Sequence, residues 1–250
     1  MRGQQRARKR SDLIADEIKS WVVQGRLGSG DRLPPEHELI SRLRASKGTV
    51  REALKSLEVQ GMVRILRGAA GGAEIAAVSR DRAIGLLCNH LYFHTPSIGE
   101  VYRLRRLVEP EMAAATVGHL DETALAELER IIAETRGQPS SAEKRRQLRT
   151  DELLFHDIIA AACPDVLLGF VSQLINRLLR DIVVLRKIYL APETRFRSDN
   201  HRSHREIVEA LRRGERDAVR RLMAEHMEEA ERHMIRLGGV VERVNLLHTL

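Results

Sequence analysis

Apolar residues recur at intervals of three or four in three short segments near the amino terminus, a spacing that predicts amphipathic helices. The three segments are Ser11–Gln24, Glu36–Arg44 and Lys47–Val59. Pro34 and Pro35 suit the entry to the second helix, and Ser46 is placed to cap the third. Gly61 follows the third helix as a C-terminal stop.

The pattern changes from helical to extended after Gly61. Met62–Leu66 has strand character, and the Gly-rich run that follows predicts a turn into a second strand. Arg67 and Gly68 would lie at the tip of this hairpin. Small residues at such a tip let backbone N–H groups approach a phosphate closely.

Basic and polar side chains fall on the open face of the third predicted helix. Lys47, Thr49 and Arg51 lie largely outside its apolar stripe. Together with the basic hairpin tip, they are typical of a winged helix-turn-helix, whose recognition helix presents its early residues to bases and phosphates. The alternative is an ordinary solvated helix and hairpin with a charged face.

Helical patterns with little strand signal continue after residue 78. The predicted helices cover Arg82–His94, Ile98–His119, Glu122–Arg136, Ala142–Ala162, Val166–Tyr189, Glu193–Arg213 and Arg216–Leu237. Pro and Gly residues punctuate the breaks between them. The expected fold is therefore mainly α: a basic disordered tail (1–10), a winged helix-turn-helix with a small β-hairpin wing (11–78), an all-α bundle (79–240) and a C-terminal tail (241–250).

Charge is shared unevenly between these two predicted domains. Residues 1–78 hold 15 Lys and Arg against 9 Asp and Glu, whereas residues 79–250 hold 27 against 26. The excess positive charge therefore lies in the predicted winged helix-turn-helix, called the DNA reader below. Neutralising phosphates and releasing counterions there favours binding to double-stranded DNA.

Two cysteines, Cys88 and Cys163, are far apart and lack metal-binding spacing, so neither a disulfide framework nor a zinc ribbon is predicted. The basic start of the chain is not followed by an apolar signal-peptide segment. No apolar run approaches the ~20 residues that a membrane span requires. The expected location is the cytoplasm, without a membrane partner.

Three predicted helices of the second domain each direct a histidine toward an apolar stripe. Glu152 precedes His156 by four residues, so one helix face carries both side chains. His204 and His226 lie on the apolar stripes of two later helices. A divalent cation would satisfy the imidazoles and a buried carboxylate together. Hydrogen-bonded core histidines are the alternative.

The segment Gly30–Gly72, GDRLPPEHELISRLRASKGTVREALKSLEVQGMVRILRGAAGG, resembles the DNA-binding domain of GntR-type bacterial transcription regulators. This resemblance implies DNA contacts by the residues at the family's matching positions: His37, Lys47, Thr49, Arg51, Arg67 and Gly68. His37 and Lys47 stand where the family commonly has Arg. Lysine offers a point charge instead of a bidentate fork.

The second domain resembles the FCD effector domain that follows GntR-type readers of the FadR class. The matching segments are RLRRLVEPEMAAA, ELLFHDIIAAA and HREIVEALRRGERDAVRRLMAEH. The resemblance implies that Glu152, His156, His204 and His226 hold a divalent metal ion, with Zn²⁺ favoured and Ni²⁺ or Mn²⁺ possible. Glu152 stands where Asp is typical. Arg105 is the candidate for gripping an effector carboxylate, with a surface ion pair to Glu109 as the alternative.

These observations predict a ligand-responsive regulator, a repressor that binds an inverted-repeat operator as a homodimer and is released by a small organic acid. Two other functions fit the same residues. One is a metal-dependent hydrolase tethered to DNA by the first domain. The other is a constitutive DNA-binding protein whose bundle only dimerises.

Overall fold

The computed structural model describes residues 8–68, 71–94, 96–135, 139–188 and 195–247. The first seven residues of the predicted basic tail lie outside these ranges. The chain divides into two compact units, one through residue 83 and one from residue 84. They are called the N-terminal unit and the helical bundle below.

The N-terminal unit contains three helices followed by a two-stranded hairpin. The elements are α1 (Arg10–Val23), α2 (Glu36–Arg42), α3 (Lys47–Val59), β1 (Val63–Leu66) and β2 (Gly72–Ile75). The strands pair antiparallel, with Val63 opposite Ile75 and Leu66 opposite Gly72. This order confirms the predicted winged helix-turn-helix.

Apolar side chains from every element of the N-terminal unit share one core. Ile18, Leu39 and Leu57 are among its most deeply buried members. Ser46 caps α3, because its Oγ accepts a hydrogen bond from the Thr49 backbone N–H at 3.2 Å. The core and this cap fix the orientation of α3, and with it the basic face that the sequence predicts to meet DNA.

The helical bundle consists of α-helices throughout its described residues. They are α4 (Arg80–Tyr92, which begins in the N-terminal unit), α5 (Ile98–Ala115), α6 (Glu122–Thr135), α7 (Ala142–Ala161), α8 (Val166–Leu185), α9 (Arg195–Arg213) and α10 (Arg216–Leu247). The all-α fold class is confirmed. The predicted ends at Arg136 and Tyr189, and the start at Glu193, lie outside the described residues.

Several helix ends differ from the predictions. Helix α8 ends at Leu185, four residues before its predicted end, and Lys187 has a φ of 53°. Helix α5 stops at Ala115 instead of His119, since Gly118 adopts a positive φ of 81°. Helix α2 ends at Arg42, two residues early, and Arg44 has a φ of 45°. Helix α10 continues past its predicted end at Leu237 as far as Leu247. The predicted tail from residue 241 is therefore helical through residue 247, because two consecutive glycines do not interrupt the helix.

Two apolar clusters fill the bundle. One involves α4, α8, Leu153 of α7, the first turns of α5 and the middle of α10; the other involves α6, α7, α9, the later part of α5 and the first turns of α10. Cys88 and Cys163 are free thiols. Among the described helices, none is long and apolar enough to cross a membrane.

Candidate functional site

The predicted DNA-contacting residues lie on the surface of the N-terminal unit. Lys47 and Arg51 stand one turn apart on α3, with side chains 64% and 62% exposed. His37 on α2 is also exposed, and Thr49 is half-buried beside the Ser46 cap. Arg67 and Gly68 follow β1 at the hairpin tip, where Gly68 has a φ of 98°. Such a φ suits glycine and few other residues.

A carboxylate on α2 reaches the two cations of α3. Glu36 Oε2 accepts a hydrogen bond from Arg51 Nε at 2.9 Å, and its Oε1 lies 3.8 Å from Lys47 Nζ. Sequence reasoning did not identify Glu36, because its partners are 11 and 15 residues away along the chain.

Three histidines from three helices meet inside the bundle. His156 on α7, His204 on α9 and His226 on α10 are each at most 3% exposed. Their ligand atoms all lie within 4.8 Å of one another. Nε2 of His226 lies 3.1 Å from Nε2 of His204 and 3.3 Å from Nε2 of His156. The structure thus brings together the three imidazoles that the sequence predicts.

Neighbouring rings hold the imidazoles in place. The Phe155 ring stacks on His204 with 3.8 Å between ring centroids and 5° between planes. The His156 and His226 rings are nearly parallel, with centroids 5.2 Å apart. Packing of this kind restricts the rotamers available to the three side chains.

Burial favours the neutral, metal-binding form of two of these histidines. Loss of solvation lowers the pKa of His204 well below its ordinary value, and the nearby His226 and His156 lower it further. Burial, followed by His156 and Arg105, does the same to the pKa of His226. Neutral imidazole is the form that coordinates a metal.

Glu109 on α5 is the carboxylate that contacts the three histidines, through His156. Its Oε2 lies 2.6 Å from Nδ1 of His156, and its Oε1 accepts a hydrogen bond from Arg105 Nε at 2.5 Å. Burial raises the pKa of Glu109, but Arg105 and then His156 more than offset this, so the pKa falls to about 2. An ionised carboxylate at this distance favours a proton on Nδ1 of His156, and that tautomer leaves the Nε2 lone pair for the side of the other two imidazoles.

The alternative, an ion pair between Arg105 and Glu109, is present in the structure, but it is buried instead of lying on the surface, because the two side chains are only 2% and 0% exposed. Their i, i+4 spacing was visible in the sequence, but its meaning depends on which face of α5 is buried. The residues on either side, Tyr102 and Met112, are also buried. The apolar residues on this face of α5 were the feature of the sequence that indicated burial of Arg105 and Glu109.

Glu152 does not join the three histidines in the described structure. Its Oε2 accepts a hydrogen bond from Arg149 Nη1 at 2.8 Å, one turn away on α7. The longer side chain of Glu, compared with Asp, lets the carboxylate reach this guanidinium. Glu152 nevertheless lines the same cavity as His156. Of the four ligands implied by the family resemblance, the structure thus brings three imidazoles together, with Glu109 behind one of them.

The cavity beside the histidines contains both positive and negative groups. Arg105, Arg149 and Glu152 line it, together with Tyr102 and Asn200. The Nη2 group of Arg105 is buried and has no hydrogen-bond partner among the described residues. A buried donor without a partner is costly, so it is a natural point of attachment for an anionic ligand.

The histidine group predicts that the metal-free protein loses stability as the pH falls below about 6.5. The unfolded chain takes up protons there, whereas His204 and His226 stay neutral in the folded state because their pKa values are lowered. Their contribution is therefore present above that pH and lost below it, with a slope of up to about 2.7 kcal/mol per pH unit for two groups. Urea unfolding in chelator from pH 7.5 to 5.5 measures this slope.

A His226→Gln variant should show a shallower slope, because one titrating imidazole is gone. An unfolding free energy that stays constant across this pH range in the wild-type protein would contradict the lowered pKa values.

Two models of known protein families match this chain. A model of bacterial regulatory proteins of the gntR family matches residues 10–71, and a model of the FCD domain matches residues 100–229. The chain belongs to the GntR family of transcription regulators. Its GntR reader followed by an FCD domain is the FadR-like architecture that the sequence resemblance implied.

Curated relatives agree with this assignment. The HTH-type transcriptional repressor NanR of Edwardsiella tarda is 25% identical over 225 residues, covering 88% of this chain and 83% of that protein. NanR of Escherichia coli K12 is 24% identical over 233 residues, with 91% and 85% covered. These relatives are DNA-binding regulators and not enzymes, so the tethered hydrolase is not supported.

Among solved structures, Streptococcus agalactiae GntR has a similar fold. It superposes with a TM-score of 0.60 and 22% sequence identity, covering 89% of this chain and 99% of that one. At this identity the likeness supports the fold alone.

Proposed function

We propose that this GntR-family regulator is a metal-containing repressor that binds an inverted-repeat operator as a homodimer and responds to a small organic acid. The observation that carries the proposal is the meeting of His156, His204 and His226 beside a cavity lined by Arg105. The three histidines suit a metal ion, and Arg105 suits a carboxylate. Both lie in the domain that follows the DNA reader.

The residues present fit a divalent cation. Three imidazole nitrogens face one another, and the carboxylate of Glu109 supports His156 from behind, an arrangement common around metal-bound histidines. Imidazole donors suit Zn²⁺ and Ni²⁺. His156, His204 and His226 would hold the ion, which when bound supplies a positive centre for an anionic ligand.

Arg105 is the proposed anchor for the effector carboxylate. Its guanidinium uses Nε for Glu109 and leaves Nη2 without a described partner beside the cavity. The cavity volume is about 30 Å³, enough for an ion with a water or two. Small-molecule pockets measure about 300–1,000 Å³, so an organic acid has to displace lining side chains as it binds.

This displacement is the proposed source of the response. An acid that binds only after α5, α9 or α10 shifts will stabilise the shifted arrangement. We infer that the shifted dimer holds its two readers at a separation that no longer matches the operator half-sites, which lie about one helical turn (~34–36 Å) apart or a multiple of it.

Exposed apolar side chains on the bundle support the homodimer. Leu104 and Leu107 on α5 are 43% and 71% exposed, and Leu86 on α4 is 61% exposed. Exposed large apolar residues are frequent at protein interfaces. The NanR relatives are transcriptional repressors, which supports repression as the direction of control.

Metal binding is tested with a variant of one ligand and a matched control. His204→Ala should abolish stoichiometric Zn²⁺ binding, because two imidazoles are a poor site for the ion. His201→Ala changes the same residue type one turn earlier on α9, outside the ligand group, and should keep the metal. Metal content after dialysis and calorimetric titration provide the measurement. Equal metal content in both variants would contradict the site.

The response to ligand is tested by a thermal-shift screen of small organic acids, with and without added Zn²⁺, followed by gel shift on a duplex from the protein's own promoter. An acid that raises the melting temperature only in the metal-loaded protein and releases the duplex supports the proposal. If His204→Ala neither loses metal nor alters regulation, the bundle is a constitutive dimerisation element instead.

A further inference from the structure

The ion pairs between α2 and α3 suggest a role for a residue outside the predicted DNA contacts. Glu36 is the first residue of α2, and its carboxylate is shared between Arg51 and Lys47 on the exposed face of α3. Its side chain is 33% exposed, so it belongs to the surface and not to the core. An acidic group at this place is unexpected on a surface that attracts phosphates.

The way in which Glu36 contacts Arg51 leaves a useful part of the guanidinium available. The carboxylate accepts from Nε at 2.9 Å, and among the described residues no partner is found at the edge formed by the two terminal nitrogens. Two parallel N–H groups on one guanidinium edge are what reads O6 and N7 of guanine. The hydrogen bond also restrains a long side chain that would otherwise sample many rotamers.

The charge of Glu36 acts in a second way. One carboxylate beside Lys47 and Arg51 cancels part of the positive potential at this face. Attraction to phosphates does not depend on sequence and supplies most non-specific affinity. A nearby negative charge therefore weakens binding to random DNA, while the orientation of Arg51 preserves binding to the correct bases.

We propose that Glu36 is a specificity-determining residue: it positions Arg51 for base recognition and reduces non-specific attraction to the phosphate backbone. The inference rests on the DNA-binding function of the N-terminal unit and does not depend on the metal, the effector or the direction of control. Its subject is the ratio of specific to non-specific affinity, and not operator affinity alone.

Glu36→Gln removes the charge and keeps the size of the side chain. Non-specific binding should strengthen, because Lys47 and Arg51 become available to the phosphates of the DNA backbone. Its affinity should also fall more steeply with salt concentration, by about the slope of one additional phosphate contact. Specific binding should gain less, because a neutral amide oxygen holds Arg51 less firmly than a carboxylate does. The ratio of random-sequence Kd to selected-sequence Kd should therefore fall about tenfold, roughly the value of one well-placed base contact.

Two further variants separate charge from position. Glu38→Gln removes the same charge two residues along α2, at an exposed position that forms no ion pair with α3 in the described structure. It should strengthen both kinds of binding equally and leave the ratio unchanged. Glu36→Asp keeps the charge but shortens the reach to Arg51. It should keep weak non-specific binding and lose part of the preference.

The experiment uses the full chain and a duplex selected by the wild-type protein from a random-sequence library, with a random duplex of equal length as competitor. Failure of the wild-type protein to enrich any sequence would overturn DNA recognition itself. If enrichment succeeds but the Glu36→Gln ratio stays within about twofold of wild type, the role of Glu36 alone is overturned. The same holds if Glu38→Gln lowers the ratio equally. A changed base preference in a selection repeated with Glu36→Gln would support the positioning role.

Discussion

Replacing Glu109 by Gln is expected to lower the free energy of unfolding by about 3–5 kcal/mol, because it leaves Arg105 buried without a balancing charge. Arg105 is 1% exposed and donates to this carboxylate at 2.5 Å. Burial lowers the pKa of Arg105, yet Glu109 and Tyr102 raise it overall, so the guanidinium stays charged inside the bundle. Chemical denaturation of the metal-free protein measures the loss.

A matched control separates this effect from the loss of any carboxylate. Glu127→Gln removes a surface partner of Arg130 on α6, where both side chains are well exposed. Its effect should stay within about 0.5 kcal/mol. Adding Arg105→Met to Glu109→Gln should recover part of the stability, since the unpaired charge is then removed. If Glu109→Gln is no more harmful than Glu127→Gln, the buried pair does not stabilise the bundle in this way.

The same substitution has a second readout that a purely structural pair would not change. Glu109 supports His156 through Nδ1, and loss of such a partner costs metal affinity about 10- to 100-fold. Titration of Zn²⁺ into folded Glu109→Gln, compared with wild type, measures this loss. An unchanged metal affinity in folded protein would show that Glu109 acts on Arg105 alone.

Arg51→Ala is expected to weaken binding to a selected operator by about 1–3 kcal/mol, roughly 5- to 150-fold. Arg51 is 62% exposed at the second turn of α3, and Glu36 holds its Nε. Because Arg51 lies in the N-terminal unit, the metal content of the bundle should not change. Fluorescence anisotropy with labelled duplex measures the affinity, and elemental analysis measures the metal.

Arg130→Ala provides the control, because it removes a guanidinium from α6 in the bundle, where it pairs with Glu127 and Glu134. Operator binding should stay close to the wild-type value. Loss of both metal and operator binding in Arg51→Ala would mean that the two units do not act as separate modules.

Much of the fold was predictable because it depends on local patterns. Apolar spacing located the helices, and Ser46 caps α3 as its position predicts. The errors fall where a helix end depends on one backbone conformation, as at Gly118 with its φ of 81°. Continuation of α10 to Leu247 was missed, because Gly238 and Gly239 locally favour a break.

The candidate site was predictable in part for a similar reason. The stripes that carry His156, His204 and His226 show that each faces inward, and the structure brings all three together. Which carboxylate approaches them could not be inferred, because that depends on packing between α5 and α7. Glu152 pairs with Arg149, and the carboxylate beside His156 is that of Glu109. Glu109 belongs to a helix more than forty residues earlier in the chain.

Reciprocal linkage between acid and operator tests the central claim most directly. For an acid found in the screen, the operator Kd of the metal-loaded protein is measured with and without saturating acid, and the acid Kd with and without saturating operator. Both ratios should be equal and lie in the range of about 5- to 150-fold that is typical of coupled sites. An acid that binds beside Arg105 yet leaves the operator Kd unchanged would contradict the account.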